Sequence, residues 1–397
     1  MNFATRAAEL KEAIIAHRHY LHQHAELSFQ EKETTAYLVE QLTKLGIPVQ
    51  SFDDYTGCIA TIQGGQPGKT VLLRADIDAL PIQENSGVEF ESIHPGIMHA
   101  CGHDCHASML LGAAQLLWEQ REQLKGTVKL LFQAAEEVFV GSHYYWDKGY
   151  LSDVDAAMGM HVWPTVDSGK LCVQDGPLMA SCDNFKITVH GVSAHGSQPH
   201  NGRDAIVAAS AIICNLQTIV SRINDPLNSL VVSVGTIKAG TQFNIITDTA
   251  VMEGTVRAHT TEARSLVEEN MRRIVDATAL AMGCTAEIEY NYLEPPVRND
   301  DLALNKIARE AAKTLYGEDV LRSTALATGS EDFSYIMEKI PSSMFVFLGC
   351  RDEETGCVYP VHNEKFKINE NILPAGAAEY AQFAADYLDK HAGGAGK

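Results

Sequence analysis

The sequence contains no CxxC pair, and its nine cysteines (Cys58, Cys101, Cys105, Cys172, Cys182, Cys214, Cys284, Cys350 and Cys357) are scattered and odd in number. This argues against a disulfide framework or a zinc ribbon and favours buried thiols that pack as small apolar side chains. Basic residues are scarce: 31 Lys and Arg stand against 51 Asp and Glu, a formal net charge of -20. So acidic a chain, with no compensating Lys/Arg cluster, repels nucleic acid and anionic membranes, and neither is an expected partner. The N-terminal MNFATRAAELKEAIIAHRHYLHQH has no apolar signal core, and no uninterrupted apolar span long enough to cross a bilayer stands out, which predicts a cytosolic protein. Internal repeats and low-complexity segments are missing too.

What is present is a chain of 397 residues, longer than one hydrophobic core usually supports, so two domains are expected. Residues 5 to 45 have apolar positions at helical spacing, interrupted by HAELSFQE and ended by Gly46 and Pro48. Strand-like runs follow (GCIATIQG, KTVLLRADIDAL, GTVKLLFQAAEE and AAMGMHVWP), alternating with the helix-like ASMLLGAAQLLWEQREQL, and predict an α/β sheet covered by helices. From Asp183 the texture becomes a β-α-β-β-α-β pattern closed by Pro295 and Pro296, which predicts an inserted domain over 183–296 between two parts, 1–182 and 297–397, of a larger one. The terminal GGAGK is expected to fray.

Chemistry in such sheets collects where strands end. In MHACGHDCHASMLLGAAQLL, Cys101 and His103 are two apart, a spacing that points both side chains the same way in an extended segment. Thiolate and imidazole suit zinc-like ions, but two ligands do not make a site. Glu136 and Glu137 follow the apolar run VKLLF; strand alternation would send them to opposite sides, one to a metal and the other to a water molecule. A lone Glu-Glu pair is ordinarily a solvated strand end. His161, at the expected end of AAMGMH, and His362 in VYPVHNEKF are single histidines of the kind that usually serve structure. Four strand-to-loop transitions nonetheless each offer a Cys, His or Glu, enough donors for one or two divalent ions. The histidine-rich HRHYLHQH could place His17, His22 and His24 on part of one helix face, but without a catalytic carboxylate it reads as structural or surface.

The motifs RADIDALPI, HACGHDCHASMLLGAA, FQAAEE, HVWP, HGVSAHGSQPHNGRDAI, TQFNIITD, SEDFS and VHNEKF occur in that order across almost the whole chain. Together they closely resemble the metal-dependent amidohydrolase family of aminoacylases, hippurate hydrolases and plant auxin-conjugate hydrolases, relatives of the dinuclear carboxypeptidases. The resemblance implies a catalytic domain with a central mixed sheet flanked by helices and an inserted, smaller α+β lid or dimerisation domain. It implies that Cys101, His103, Glu137, His161 and His362 bind two divalent ions, manganese or zinc before cobalt or nickel. It makes Glu136 the general base, His195 an oxyanion donor, often across a dimer interface, Asn244 a substrate contact and Asp78 a partner of a ligand. The implied substrate is a small N-acyl-amino acid, cleaved to a carboxylic acid and an amino acid, and the implied assembly is a homodimer or higher homo-oligomer.

Departures from the family pattern are Ala134 where proline is common, Cys105 for a frequent glycine, and Phe139, Tyr144, Tyr145 and Trp146 where relatives are glycine-rich. These aromatics either line a pocket for a bulky substrate group or pack a helix. Competing readings are a cysteine hydrolase using Cys101, a catalytically silent metal-binding protein, and a metallo-carboxypeptidase or dipeptidase acting on short peptides.

Overall fold

A computed structural model of the chain describes residues 2–392; the GGAGK tail lies outside the described residues. The chain divides into two compact units, Met1–Gly176 with Arg298–Ala325 and Tyr335–Lys397, and Pro177–Val297 with Leu326–Ser334.

The first unit is a seven-stranded mixed sheet in the order Val49–Ser51, Gly57–Gln63, Lys125–Gln133, Gln66–Asp76, Ala156–Asp167, Ser343–Arg351 and Leu171–Cys172. The four strands from Lys125–Gln133 to Ser343–Arg351 are mutually parallel, and the outer pairings are antiparallel. Parallel strands covered on both faces need continuous apolar runs, which KTVLLRAD, KLLFQ and SMFVFLGCR supply. Helix His103–Glu119 is buried nearly all round and packs against the strand Gln66–Asp76 and the helix Leu373–Lys390. That environment explains why its sequence is apolar on every face rather than amphipathic. Helices Lys11–Gln23 and Lys32–Leu45 are the expected N-terminal helical region, broken where HAELSFQE crosses to the sheet, with Leu27 bridging to Ala79.

The second unit is a four-stranded antiparallel sheet in the order Leu230–Ala239, Thr249–Ala258, Cys182–His190, Thr285–Glu294. Helices Ala205–Thr218 and Thr261–Ala281 pack on it and on each other. Alternate positions Phe185, Ile187 and Val189 face this core, and Met252 and Ile288 both register against Ile187. Side-chain caps start both helices, from Asp204 to the Ile206 and Val207 amides and from Thr260 to that of Ala263. One difference from the sequence expectation arises here: the helical stretch Ala205–Ile223 is long and apolar enough, by length and composition, to cross a bilayer. Its Ala208, Ile212 and Leu216 are buried in the unit's own core, while Asn215 bonds Thr278.

Candidate metal centre

The irregular segments beyond the carboxyl ends of the parallel strands, with the middle of strand Ala156–Asp167, bring six of the expected residues together in the first unit. Strand Gln66–Asp76 ends with the Asp76 carboxylate buried between Arg74 Nη1 at 2.7 Å and His106 Nδ1 at 2.5 Å. His106 Nε2 accepts the Val162 N–H at 2.9 Å, so the proton is on Nδ1 and neither nitrogen has a lone pair left for a cation. Burial opposes ionisation of Asp76, but the charges of His103 and Arg74, with the hydrogen bond from His106, hold its carboxyl well below the usual range.

Cys101 and His103 flank Gly102, whose φ of +90° turns the loop into the following helix. An added Cβ at Gly102 would lie 2.5 Å from Val162 Cγ2, so both the backbone angle and the space require glycine. His103 opens the helix, and its Nδ1 lies 3.2 Å from Asp78 Oδ1, which directs Nε2 towards the carboxylates. Asp78 also accepts the Ser28 hydroxyl at 2.7 Å and the Glu137 amide at 3.1 Å. One buried carboxylate thus fixes two of the expected ligands.

Strand alternation predicts opposite directions for Glu136 and Glu137; the structure differs. The strand stops at Gln133, Ala135 turns left-handed (φ 58°, ψ 40°), and Glu136–Val138 form a single 3-10 turn. Both carboxylates consequently approach His103 Nε2, at 4.0 Å for Glu136 and 3.9 Å for Glu137. His161 also departs from expectation. Its strand continues to Asp167, with Trp163 stacked on Phe347 at 4.1 Å between ring centres, so His161 is a mid-strand residue. Its Nδ1 can only donate to the Val162 carbonyl at 2.6 Å, leaving the Nε2 lone pair 3.4 Å from Cys101 Sγ. His362, at φ 62°, is pinned by its amide to the Ala100 carbonyl at 2.8 Å, and its Nε2 lies 3.4 Å from Glu137 Oε1.

The donor chemistry fits divalent metal. Donor atoms of Cys101, His103 and His161 lie within 4.8 Å of one another, as do those of Cys101, Glu137 and His362, two triads sharing the thiol. Two ligands each about 2 Å from a tetrahedral ion are about 3.3–3.5 Å apart, close to the Cys101–His161 and Glu137–His362 separations. His103 Nε2 and Glu137 Oε1 are buried with no hydrogen-bond partner, which is costly unless a cation joins them. Burial disfavours charge on His103, but Asp76 and the hydrogen-bonded Asp78 push its pKa up to about 10, so a metal ion bound there would displace a proton. Burial lowers the pKa of His161 well below the usual histidine value, which keeps the ring neutral and its Nε2 lone pair available.

A family model described as peptidase family M20/M25/M40 matches residues 72–386. The chain belongs to this family. N-acetyl-L-cysteine deacetylase of Bacillus subtilis (strain 168) is 41% identical over 364 residues, covering 92% of this chain and 85% of that protein. Thermostable carboxypeptidase 2 of Saccharolobus solfataricus is 39% identical over 385 residues, covering 96% and 97% respectively. A solved Bacillus subtilis structure, a dinuclear metal binding peptidase from the M20 family, matches with a TM-score of 0.86 at 38% identity, covering 96% of this chain and 99% of that one.

In this M20 chain His195 and Asn244 lie in the second unit, next to each other: the Gly196 amide donates to the Asn244 carbonyl at 2.7 Å, and His195 pairs with Ile245. Ser197 N–H donates to His195 Nδ1 at 3.1 Å, so the ring proton is on the exposed Nε2. The N-terminal histidines are tied up elsewhere, His17 by Tyr37, His19 by Glu370, His22 by Asp104 and Glu84, and His24 by the Tyr20 carbonyl. Among the aromatics after the glutamate pair, Tyr145 is fully buried, and Tyr144 stacks on Tyr55 with its hydroxyl on Asp54. Sequence reasoning missed Asp76, Ser28 and Glu31. The break in helical spacing at HAELSFQE is the signal that could have found the last two, because both sit in it.

Proposed function

We propose that this M20 chain is a dinuclear metal-dependent amidohydrolase that cleaves N-acyl-amino acids to a carboxylic acid and a free amino acid. The observation that carries the reading is the junction of two donor triads at Cys101 with a second glutamate, Glu136, beside them and outside both. Cys101, His103, Glu137, His161 and His362 hold two divalent ions, manganese or zinc before cobalt or nickel, a mixed thiolate, imidazole and carboxylate set. When bound, such ions polarise the amide carbonyl and make water acidic enough to attack at neutral pH. Glu136 takes the proton of the attacking water and returns it to the departing amine. His195, with its proton on Nε2, is a donor for the developing oxyanion, and Asn244 contributes to substrate binding.

The first unit is then the catalytic domain and the second a lid and dimerisation domain. Exposed Ile206, Val207 and Ile237, on a helix and an edge strand of the second unit, support a homodimer. Nine free thiols, eight of them buried, support a reducing, cytosolic setting. Metallo-carboxypeptidase activity is the second reading, favoured by the carboxypeptidase relative.

Metal-stripped enzyme, resupplied with manganese, zinc or cobalt, is to be assayed on acetyl-, benzoyl- and indoleacetyl-amino acids beside dipeptides. Glu136→Gln is expected to bind metal normally and lose turnover. Activity that survives chelation, or a Glu136→Gln enzyme of undiminished kcat, refutes the mechanism; faster dipeptide cleavage selects the second reading.

A further inference from the structure

Glu136 and Glu137 owe their shared direction to a backbone turn that an alanine does not favour. Among the described residues the non-glycine positions with positive φ are Phe29, Ala135, Phe139 and His362. Two of these, Ala135 and Phe139, bracket the Glu136–Val138 turn. A left-handed alanine is strained and persists only where its surroundings hold it.

Backbone and side-chain contacts hold the turn: the Gly141 amide donates to the Ala135 carbonyl at 3.2 Å and the Phe139 amide to the Glu136 carbonyl at 2.9 Å. The Ala135 amide donates to Glu31 Oε1 at 2.9 Å, the Ala134 amide to Tyr145 Oη at 3.3 Å, and the Glu137 amide to Asp78 Oδ2 at 3.1 Å. Glu31 is fully buried, and its second oxygen accepts the Thr56 hydroxyl at 2.6 Å. The Thr56 carbonyl in turn accepts the Tyr145 hydroxyl at 3.0 Å. Glu31, Thr56 and Tyr145 form a closed bracket around the two amides that enter the turn. Of the three side chains only Glu31 meets the strained residue itself, and it does so with a carboxylate, a stronger acceptor than the Tyr145 hydroxyl. A wholly buried carboxylate close to an acidic site is expensive. Burial pushes its pKa up to about 7 against the hydrogen bond from Thr56, so its presence calls for a local reason.

We propose that Glu31 is a positioning residue: it holds Ala135 in the left-handed turn and thereby aims Glu136 at the reacting water without touching substrate or metal. The inference rests on Glu136 acting as the general base. A misplacement of about 1 Å in a reacting group can cost about 10²-fold in rate. Glu31→Ala should lower kcat by that order with KM and bound metal per subunit unchanged, and should speed hydrogen exchange of the Ala135–Glu137 amides. Glu31→Gln keeps an oxygen for the Ala135 amide and should restore most of kcat. Glu31→Ala/Ala135→Gly should also recover turnover, since glycine adopts this φ without strain.

The comparison includes Glu136→Gln. If that variant keeps its activity, the reading of Glu136 fails; if it is inactive while Glu31→Ala retains wild-type kcat, the positioning role alone is overturned. A folded double variant no faster than Glu31→Ala, unchanged amide exchange, or failure of both Glu31→Ala proteins to fold overturns it as well. Should only the single variant fail to fold, a double variant with substantial kcat supports the proposal and one as slow as Glu136→Gln overturns it.

Discussion

Replacing Asp78 by asparagine changes almost no volume and tests the electrostatic design of the site. The carboxylate serves His103 Nδ1 with Oδ1, and Ser28 and the Glu137 amide with Oδ2. An amide has one acceptor oxygen, so it must choose. If its oxygen faces His103, its NH₂ can donate to the Ser28 hydroxyl but meets the Glu137 N–H donor to donor, leaving a buried amide unpaired at a cost of about 1–3 kcal/mol. If it is flipped, the NH₂ faces His103 Nδ1 and drives the ring proton to Nε2, where a metal needs the lone pair. Either orientation weakens the ligand set. Loss of such an orienting carboxylate typically costs about 10- to 100-fold in metal affinity, or about 1.4–2.8 kcal/mol. Competition between metal-stripped Asp78→Asn protein and a chromophoric chelator measures this directly, with circular dichroism as the check on folding. A folded variant whose metal affinity equals that of the wild type would show that Asp78 orients neither ligand, and the argument from hydrogen-bond direction would fall.

Gly102→Ala should destabilise the protein by about 2–5 kcal/mol, the sum of a left-handed alanine and a methyl group forced against Val162. Urea unfolding reads it, and an unchanged midpoint contradicts the geometry. A pH effect is expected from Glu379, in helix Leu373–Lys390, fully buried with neither carboxyl oxygen hydrogen bonded. Burial, and then the charge of Asp386, push its pKa well above the usual glutamate value. The folded state therefore keeps a proton that the unfolded chain releases above about pH 4.5, so this group's contribution is complete below that pH and declines as pH rises towards the folded pKa. The decline is up to about 1.4 kcal/mol per pH unit, and Glu379→Gln should flatten the stability profile over this range. Parallel profiles for the two proteins would refute the assignment.

The N-terminal histidines illustrate how composition misleads and geometry corrects. HRHYLHQH is the densest run of histidine in the chain, yet His22 spends both nitrogens on Asp104 and Glu84, and burial against the charge of Asp104 sets its pKa at about 9. The sparser Cys101, His103 and His161 are the residues whose donor atoms meet.

Periodicity is local, and from it the sequence alone determined the mixed α/β class, the apolar strands of the first unit and the β-α-β-β-α-β order of the second. The ordered motifs likewise determined which residue types could meet. Local patterns could not reveal that the strand ends at Gln133 rather than running into the glutamates, because a left-handed Ala135 depends on Glu31 from far earlier in the chain. Nor could they give the ring-proton positions of His103 and His106, which are set by Asp78, Asp76 and the backbone amide of Val162. Those assignments rest on hydrogen bonds between segments distant in sequence, and only tertiary structure brings such partners within reach.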